Sequence, residues 1–250
     1  MIDKALAREV IQCPQAGGMV NDPGQFLNFV DRNCVPYTWL ELGLFAGGCL
    51  MWVVAYAILI RNIRKFKFVE MAAVAACSNF AWEFLWAFRF FTDMGYFLVW
   101  TYRAWFFLDI FIFWLMLRYG GGQVETPFLR RHYKAACVLT TLAFGLGYYF
   151  FTKEGHDTFI GANSAYIAQM FISSLCLILI LKAPSVTLFS FPIGWLRSVG
   201  TGMNTIFMLL HYPGNHFLHT LALTSLVLDG FYLWVFWRKR HAPVGQPAFS

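Results

Sequence analysis

The chain has 250 residues, of which 59% are hydrophobic and 13% charged, with a net charge of +6 and a mean hydropathy of +0.56. Soluble domains carry about 25% charged residues, so this composition excludes an ordinary soluble globule and points to a membrane protein. The positive charge is not a nucleic-acid signal, because the basic residues cluster at the ends of apolar segments, where topology signals lie.

The first 36 residues, with QAGGMVNDPGQ, read as a polar extracytoplasmic extension with room for one short helix. MIDKALAREVIQ lacks the roughly 7–15-residue apolar core of a cleavable signal peptide. Cys13 and Cys34 fall in this extension and can pair if it faces an oxidising compartment. The six cysteines show no metal-ligand spacing. Cys49, Cys77, Cys137 and Cys176 lie inside apolar segments, where cysteine acts as a small packing residue.

Seven apolar stretches follow, at 37–60, 69–91, 96–118, 133–151, 159–181, 189–210 and 216–237. Each is long enough for a hydrocarbon layer of about 30 Å. The first loop holds Arg61, Arg64, Lys65 and Lys67; the second holds Asp93 and no base. The third holds Arg130, Arg131 and Lys134, the fourth is the mixed TKEGHD, and the fifth holds Lys182. The sixth, HYPGN, has no acid, lysine or arginine, and the last stretch ends at Arg238, Lys239 and Arg240. The positive-inside rule therefore puts the C-terminus in the cytoplasm and, with seven spans, the N-terminus outside. The expected fold is all-α, a polytopic seven-transmembrane-helix bundle at 37–240 between the extension 1–36 and a cytoplasmic tail 241–250. It is expected as a multi-pass protein of the bacterial plasma membrane or the endoplasmic reticulum. GGGQVETPFLRRH in the third loop reads as a connector.

Two carboxylates stand in apolar runs, Glu83 in AAVAACSNFAWEFLWAF and Asp229 in LALTSLVLDGFYLWVFW. An acid at the centre of a spanning helix costs about 2.5–3.5 kcal/mol on insertion scales, so such residues face a protein interior and are functional candidates. Asn79, Glu83, Trp86 and Phe90 recur at helical spacing, with Trp82 on a neighbouring stripe. Ser225, Asp229 and Tyr232 share a second stripe, and Tyr102, Trp105, Asp109 and Phe113 a third. Arg89 and Arg103 lie toward helix ends, where such side chains snorkel. Asp109 is the acid expected to pair with an arginine such as Arg103 or Arg197. Glu83 and Asp229 are expected to stay unpaired and to face one ring-lined cavity. His211, His216 and His219 read as interfacial hydrogen-bonding residues, and no metal site is expected.

A carboxylic acid in an apolar cavity stays protonated near neutral pH and is a strong local proton donor. Aromatic faces stabilise cations by about 2 kcal/mol or more when desolvated. Acids beside stacked rings therefore suit the generation and shielding of a carbocation. No two aspartates are adjacent, so the DDxxD and DxDD patterns are absent. No helix carries a carboxylate cluster for Mg²⁺ on a diphosphate. Protonation of an epoxide or alkene, which needs no cofactor, is the remaining route. The main alternative is a small proton-coupled transporter using Glu83 and Asp229 as a relay. It lacks the repeat symmetry common in transporters: Pro192, Gly194, Gly200 and Gly202 interrupt the sixth stretch, which has no counterpart. A structural or receptor-like bundle with acids paired to arginines ranks last.

The run from Cys77 to Glu83, CSNFAWE, resembles the NxxWE-type motif of the integral-membrane terpene cyclases of fungal meroterpenoid and indole-diterpene pathways. Tyr102 to Asp109 is similar to that family's third-helix R-x-W-x-x-L-D pattern. Leu228 to Tyr232, followed by Phe236 and Trp237, resembles the aspartate motif of its last helix. The likeness keeps its order from about residue 40 to 240. It implies that Glu83 and Asp229 are the catalytic acids, one or both protonating a terminal epoxide on an isoprenyl chain. Asn79, Trp82, Trp86, Trp105, Asp109 and Tyr232 form the substrate-binding set on this reading. The implied partners are the lipid bilayer and a hydrophobic isoprenoid, such as an aryl-bearing epoxyfarnesyl or epoxygeranylgeranyl compound. The N-terminal region with NDPGQ and two cysteines departs from the fungal pattern.

Overall fold

A computed structural model describes residues 10–241, and its regular structure is mainly helical. The long helices are α1 (Trp39–Phe66), α2 (Ala73–Phe88), α3 (Tyr96–Tyr119), α5 (Tyr133–Lys153), α6 (Ala162–Lys182), α7 (Phe191–His211) and α8 (His216–His241). A five-residue helix, α4 (Pro127–Arg131), interrupts the connector after α3. Each long helix falls on one expected stretch. Five of them, α1, α3, α5, α6 and α8, are long and apolar enough to cross a membrane. The other two differ for physical reasons. With 16 residues, α2 is only about 24 Å long at 1.5 Å per residue. Helix α7 carries Arg197, Ser198, Thr201, Asn204 and Thr205. Most of α2 is buried inside the bundle. Exposed Phe107, Phe111, Leu139, Leu142, Leu146 and Val227 give α3, α5 and α8 the apolar outer faces of helices in lipid.

Local sequence sets the helix ends and the closest crossing. Helix α1 opens with a capping box, in which the Thr38 hydroxyl accepts from the Glu41 amide and Glu41 Oε2 accepts from the Thr38 amide. Helices α1 and α7 approach closely through glycine. A Cβ on Gly48 would lie 2.8 Å from the Gly200 carbonyl, and one on Gly200 would lie 3.0 Å from the Gly48 carbonyl. Small residues at a crossing let two backbones meet in an apolar setting.

Residues 10–38 form a folded cap. Strands β1 (Ile11–Cys13) and β2 (Met19–Asn21) pair antiparallel, Gln12 opposite Val20, around a tight turn at Pro14–Ala16. Cys13 and Cys34 are joined by a disulfide. The short helix expected here takes the form of a single 3-10 turn, Pro14–Ala16, and the rest of residues 10–38 forms the hairpin, bends and turns; residues 1–9 and nearly all of the expected tail, 242–250, lie outside the described residues. The cap docks on the α2–α3 connection. The first-turn amides of Tyr96 and Phe97, which a helix leaves without internal partners, donate to the carbonyls of Gln25 and Phe26. Gly95 permits this approach: its φ is +90°, and a Cβ would sit 2.8 Å from the Gln25 oxygen.

Asp93 is the centre of that junction. Its carbonyl accepts from the side chains of Asn21 (3.1 Å) and Asn28 (2.8 Å). Its carboxylate accepts from the Arg32 amide (3.2 Å) and the Tyr37 hydroxyl (3.3 Å). Burial pushes the Asp93 carboxyl up to about 6, against the opposing pull of the Arg32 amide. Asp31 behaves in the other sense: burial raises it, but the His211 ring and the Val35 and Asn33 amides hold it below its ordinary value. His211, at the end of α7, lies 3.7 Å from Asp31 and 3.3 Å from Glu41, with its ring stacked on Tyr37 at 4.2 Å. It thus joins the cap to the bundle.

Candidate active site

Helices α1, α2, α3, α6 and α7 enclose a cavity beneath this cap. Its walls are largely rings: Phe45 and Trp52 from α1, Trp82 from α2, Tyr102 and Trp105 from α3, and Tyr166 from α6. The cavity volume is ≈ 100 Å³, a narrow slot. Mostly apolar walls with a few placed polar groups are typical of small-molecule sites.

Glu83 projects into this cavity and is held asymmetrically. Its Oε1 accepts from Asn79 Nδ2 (2.9 Å), one turn earlier on α2, and from the Tyr56 hydroxyl of α1 (3.2 Å). Its Oε2 is buried without a hydrogen-bond partner among the described residues. The Asn79 amide also donates to Tyr56 Oη (2.7 Å) and to Asp109 Oδ2 (3.3 Å) on α3. Asn79 therefore links two carboxyl groups, and no arginine or lysine joins them among the described residues. The other polar walls are mostly tied to the protein. Trp82 Nε1 donates to Ser164 Oγ (2.8 Å), which is bonded in turn to Asp157. The Tyr102 hydroxyl donates to the Ile160 carbonyl (2.7 Å), and Tyr166 bonds Thr205 (3.0 Å). Burial raises the Asp157 carboxyl, despite hydrogen bonds from Ser164, Thr158 and Thr152.

Asn79, Trp82, Glu83 and Trp105 line the cavity, whereas Trp86, Asp109, Tyr232 and Asp229 do not. Trp86 is fully buried, with its ring over the Gly161 backbone. Asp109 sits behind Asn79, and its expected arginine partner goes elsewhere. Arg197 Nη2 instead lies 3.0 Å from Asp229 Oδ1, both side chains buried. The expectation of an unpaired Asp229 sharing one cavity with Glu83 is thus corrected. The reason is geometric: α7 and α8 pack together with Arg197 facing Asp229, a pairing that spacing within one helix cannot reveal. The guanidinium also stacks 4.8 Å from the centre of the Tyr232 ring. Tyr232 donates to Glu70 Oε1 (3.2 Å), which also accepts from the Ser190 amide (2.9 Å).

This second polar cluster adjoins the first. A smaller cavity lined by Glu70 and Arg197 shares Trp52, Tyr56 and Ile172 with the main one. A polar thread also connects them. Gln169 lines the main cavity and donates to Ser173 (3.0 Å), and Ser173 stands beside the Asp229 carboxylate. The sequence reading missed Tyr56, Glu70, Gln169, Thr201 and Asn204. Tyr56 follows Trp52 by one turn, and Asn204 follows Thr201 at i+3, so helical spacing carried a signal for both faces. Glu70 stands before the first turn of α2, where no stripe marks it.

A family model described as Pyr4-like transmembrane terpene cyclases matches residues 32–242. No curated protein and no solved structure gives a match.

Proposed function

We propose that this chain, which belongs to the Pyr4-like transmembrane terpene cyclases, starts cyclisation by proton transfer from Glu83 to a terminal epoxide or alkene of an isoprenoid or meroterpenoid, without a metal ion. The observation that carries this reading is the division of labour within the Glu83 carboxyl. Two donors occupy Oε1, so the proton of the neutral acid belongs on Oε2, which has no protein partner. With no neighbouring cation among the described residues, the neutral acid is the less costly buried form. A substrate oxygen or alkene in the slot is then the natural recipient.

The proton balance closes within the protein. Transfer from Oε2 to an epoxide oxygen breaks a C–O bond and leaves a hydroxyl and a tertiary cation. The π pairs of successive alkenes form the new C–C bonds. Loss of a proton from the final cation to the Glu83 carboxylate makes the last double bond and restores the acid. The net reaction is an isomerisation. Trp52, Trp82, Tyr102 and Trp105 hold the chain folded and present ring faces to the moving charge. Asp109 and Tyr56 keep Asn79, and through it Glu83, in position. Asp229 is the second functional acid of this reading, acting indirectly. It anchors Arg197 and, through Ser173, the Gln169 wall.

The proposed topology has all seven long helices in the membrane, with α2 and α7 shielded by the other five. Its support is the loop charge pattern, together with the cap. The cap touches the start of α1, the α2–α3 connection and the end of α7, all of which lie on the non-basic side.

The test supplies membranes containing the protein with epoxyfarnesyl- and epoxygeranylgeranyl-aromatic substrates in the presence of EDTA. Cyclic product is expected from the wild type and none from Glu83→Gln at equal protein level. Full turnover by Glu83→Gln, or an absolute requirement for Mg²⁺, refutes the mechanism.

A further inference from the structure

The polar groups lining the cavity fall into two sets. Tyr56, Asn79, Trp82, Tyr102, Tyr166 and Gln169 are hydrogen-bonded to the protein. Glu83 Oε2, Trp105 Nε1, Thr201 Oγ1 and Asn204 Oδ1 are buried without a partner among the described residues. A buried polar group left unpaired costs roughly 1–3 kcal/mol, and native proteins keep few of them. Four around one cavity point to a ligand that supplies what the protein withholds. Glu83 is accounted for by the proton transfer proposed above, and Trp105 is an indole donor on the ring wall.

Thr201 and Asn204 are different. They are three residues apart on α7 and so share one face, and Thr201 is 2% exposed. The Asn204 amide reaches across to α1 over Gly48, where a Cβ would lie 2.2 Å from its oxygen. Gly48 thus leaves room for this amide. Gly200, next to Thr201, packs on Met51 and Trp52 of α1, and Glu83 is bonded at Tyr56, one turn beyond Trp52. The unpaired hydroxyl and amide therefore stand in the same ring-lined slot as the acid.

We propose that Thr201 and Asn204 form a recognition site for an oxygen-bearing group of the substrate, best matched by a hydroxyl. A hydroxyl accepts from Thr201 Oγ1–H and donates to the Asn204 carbonyl oxygen, satisfying both with one atom. The substrate class is then an isoprenoid that carries a hydroxyl, and a plain hydrocarbon chain is rejected. This rests on the cyclase reading for the isoprenoid character of the substrate, but recognition itself requires no turnover.

The test is therefore a binding measurement. The probes are a saturated C15 alcohol and the analogue with methyl in place of hydroxyl, which carry nothing to cyclise. The full-length protein in lipid nanodiscs is titrated with each, reading quenching of its tryptophan fluorescence. The affinity ratio is compared between protein variants, so partition into the bilayer cancels. The wild type is expected to favour the alcohol about tenfold more than the Thr201→Val/Asn204→Leu double variant does, as expected for one to two net hydrogen bonds. Thr201→Ser, which keeps the hydroxyl, is expected to retain most of the preference and to show that the site rather than the fold was lost. Glu83→Gln is expected to keep the full ratio while losing turnover. An equal ratio in the wild type and the double variant overturns the recognition site and leaves the cyclase reading intact. Persistent turnover in Glu83→Gln with a normal ratio overturns the acid assignment instead.

Discussion

Replacing Asp229 by asparagine separates stability from chemistry. Among the described residues the Asp229 carboxylate is the ion-pair partner of Arg197, at 3.0 Å, with side-chain exposures of 0% and 6%. Removing one member of such a pair strands the other charge and costs about 3–5 kcal/mol. The lower end applies here, because the guanidinium keeps the Tyr232 ring at 4.8 Å and Glu70 remains bonded to that same tyrosine. A loss of about 3 kcal/mol shifts Tm by roughly 6–12 °C, at about 2–4 °C per kcal/mol for a chain of this size. Glu83→Gln is the natural control. Its carboxyl has no cation partner among the described residues, and a glutamine oxygen can still accept from Asn79 and Tyr56. Its Tm is expected within about 2 °C of the wild type, a cost of less than about 1 kcal/mol. The assay is thermal unfolding of purified protein in detergent, read by thiol-reactive labelling of the buried cysteines Cys49, Cys77, Cys137 and Cys176. Replacing both members, as Asp229→Leu with Arg197→Met, is expected to recover much of the loss. An Asp229→Asn protein as stable as the wild type, or a Glu83→Gln protein that unfolds early, refutes the reasoning.

The cap and the α1–α7 crossing give further expectations. Gly48→Ala places a methyl group 2.8 Å from the Gly200 carbonyl and 2.2 Å from Asn204 Oδ1. Overpacking of this kind costs about 1–3 kcal/mol, measurable by the same labelling assay. Asp93, pushed up to about 6 from an ordinary 3.8, binds more protons folded than unfolded between those values. Its contribution is therefore fully present below about pH 4 and is lost as pH rises through about 6, amounting to about 3 kcal/mol. Asp31 acts in the opposite sense, so the Asp93 share is the difference between the wild type and Asp93→Asn, whose unfolding profile is expected to be flatter over pH 4–7. Replacing Cys13 and Cys34 by serine opens a loop of sequence separation 21, worth about 3 kcal/mol on the chain-entropy account. Limited proteolysis is expected to nick the cap sooner while the helices stay protected.

Much of this molecule was legible in one dimension because a membrane imposes local rules. Long apolar runs must be helices, since lipid offers backbone groups no partners, and each of the seven stretches became one helix. Spacing within α2 likewise placed Asn79, Trp82 and Glu83 on the side that lines the cavity. The failures occurred between helices. Nothing in the α8 stripe of Ser225, Asp229 and Tyr232 shows that Arg197 of α7 meets it, and nothing in the α3 stripe shows that Asp109 receives an amide rather than a guanidinium. The polar N-terminal region gave no periodicity from which to infer that it docks on Asp93 and His211.

The sequence by itself thus determined the helical composition, the membrane setting and the placement of acids among rings, because these follow from hydropathy and from the 3.6-residue period. The tertiary structure decided which acid is free and which is paired. Contacts of that kind depend on the rotation and depth at which helices meet, which the Gly48–Gly200 crossing and the cap set for this bundle. That is why Glu83 faces the slot with one oxygen unpartnered while Asp229, equally anomalous as sequence, is bound to Arg197.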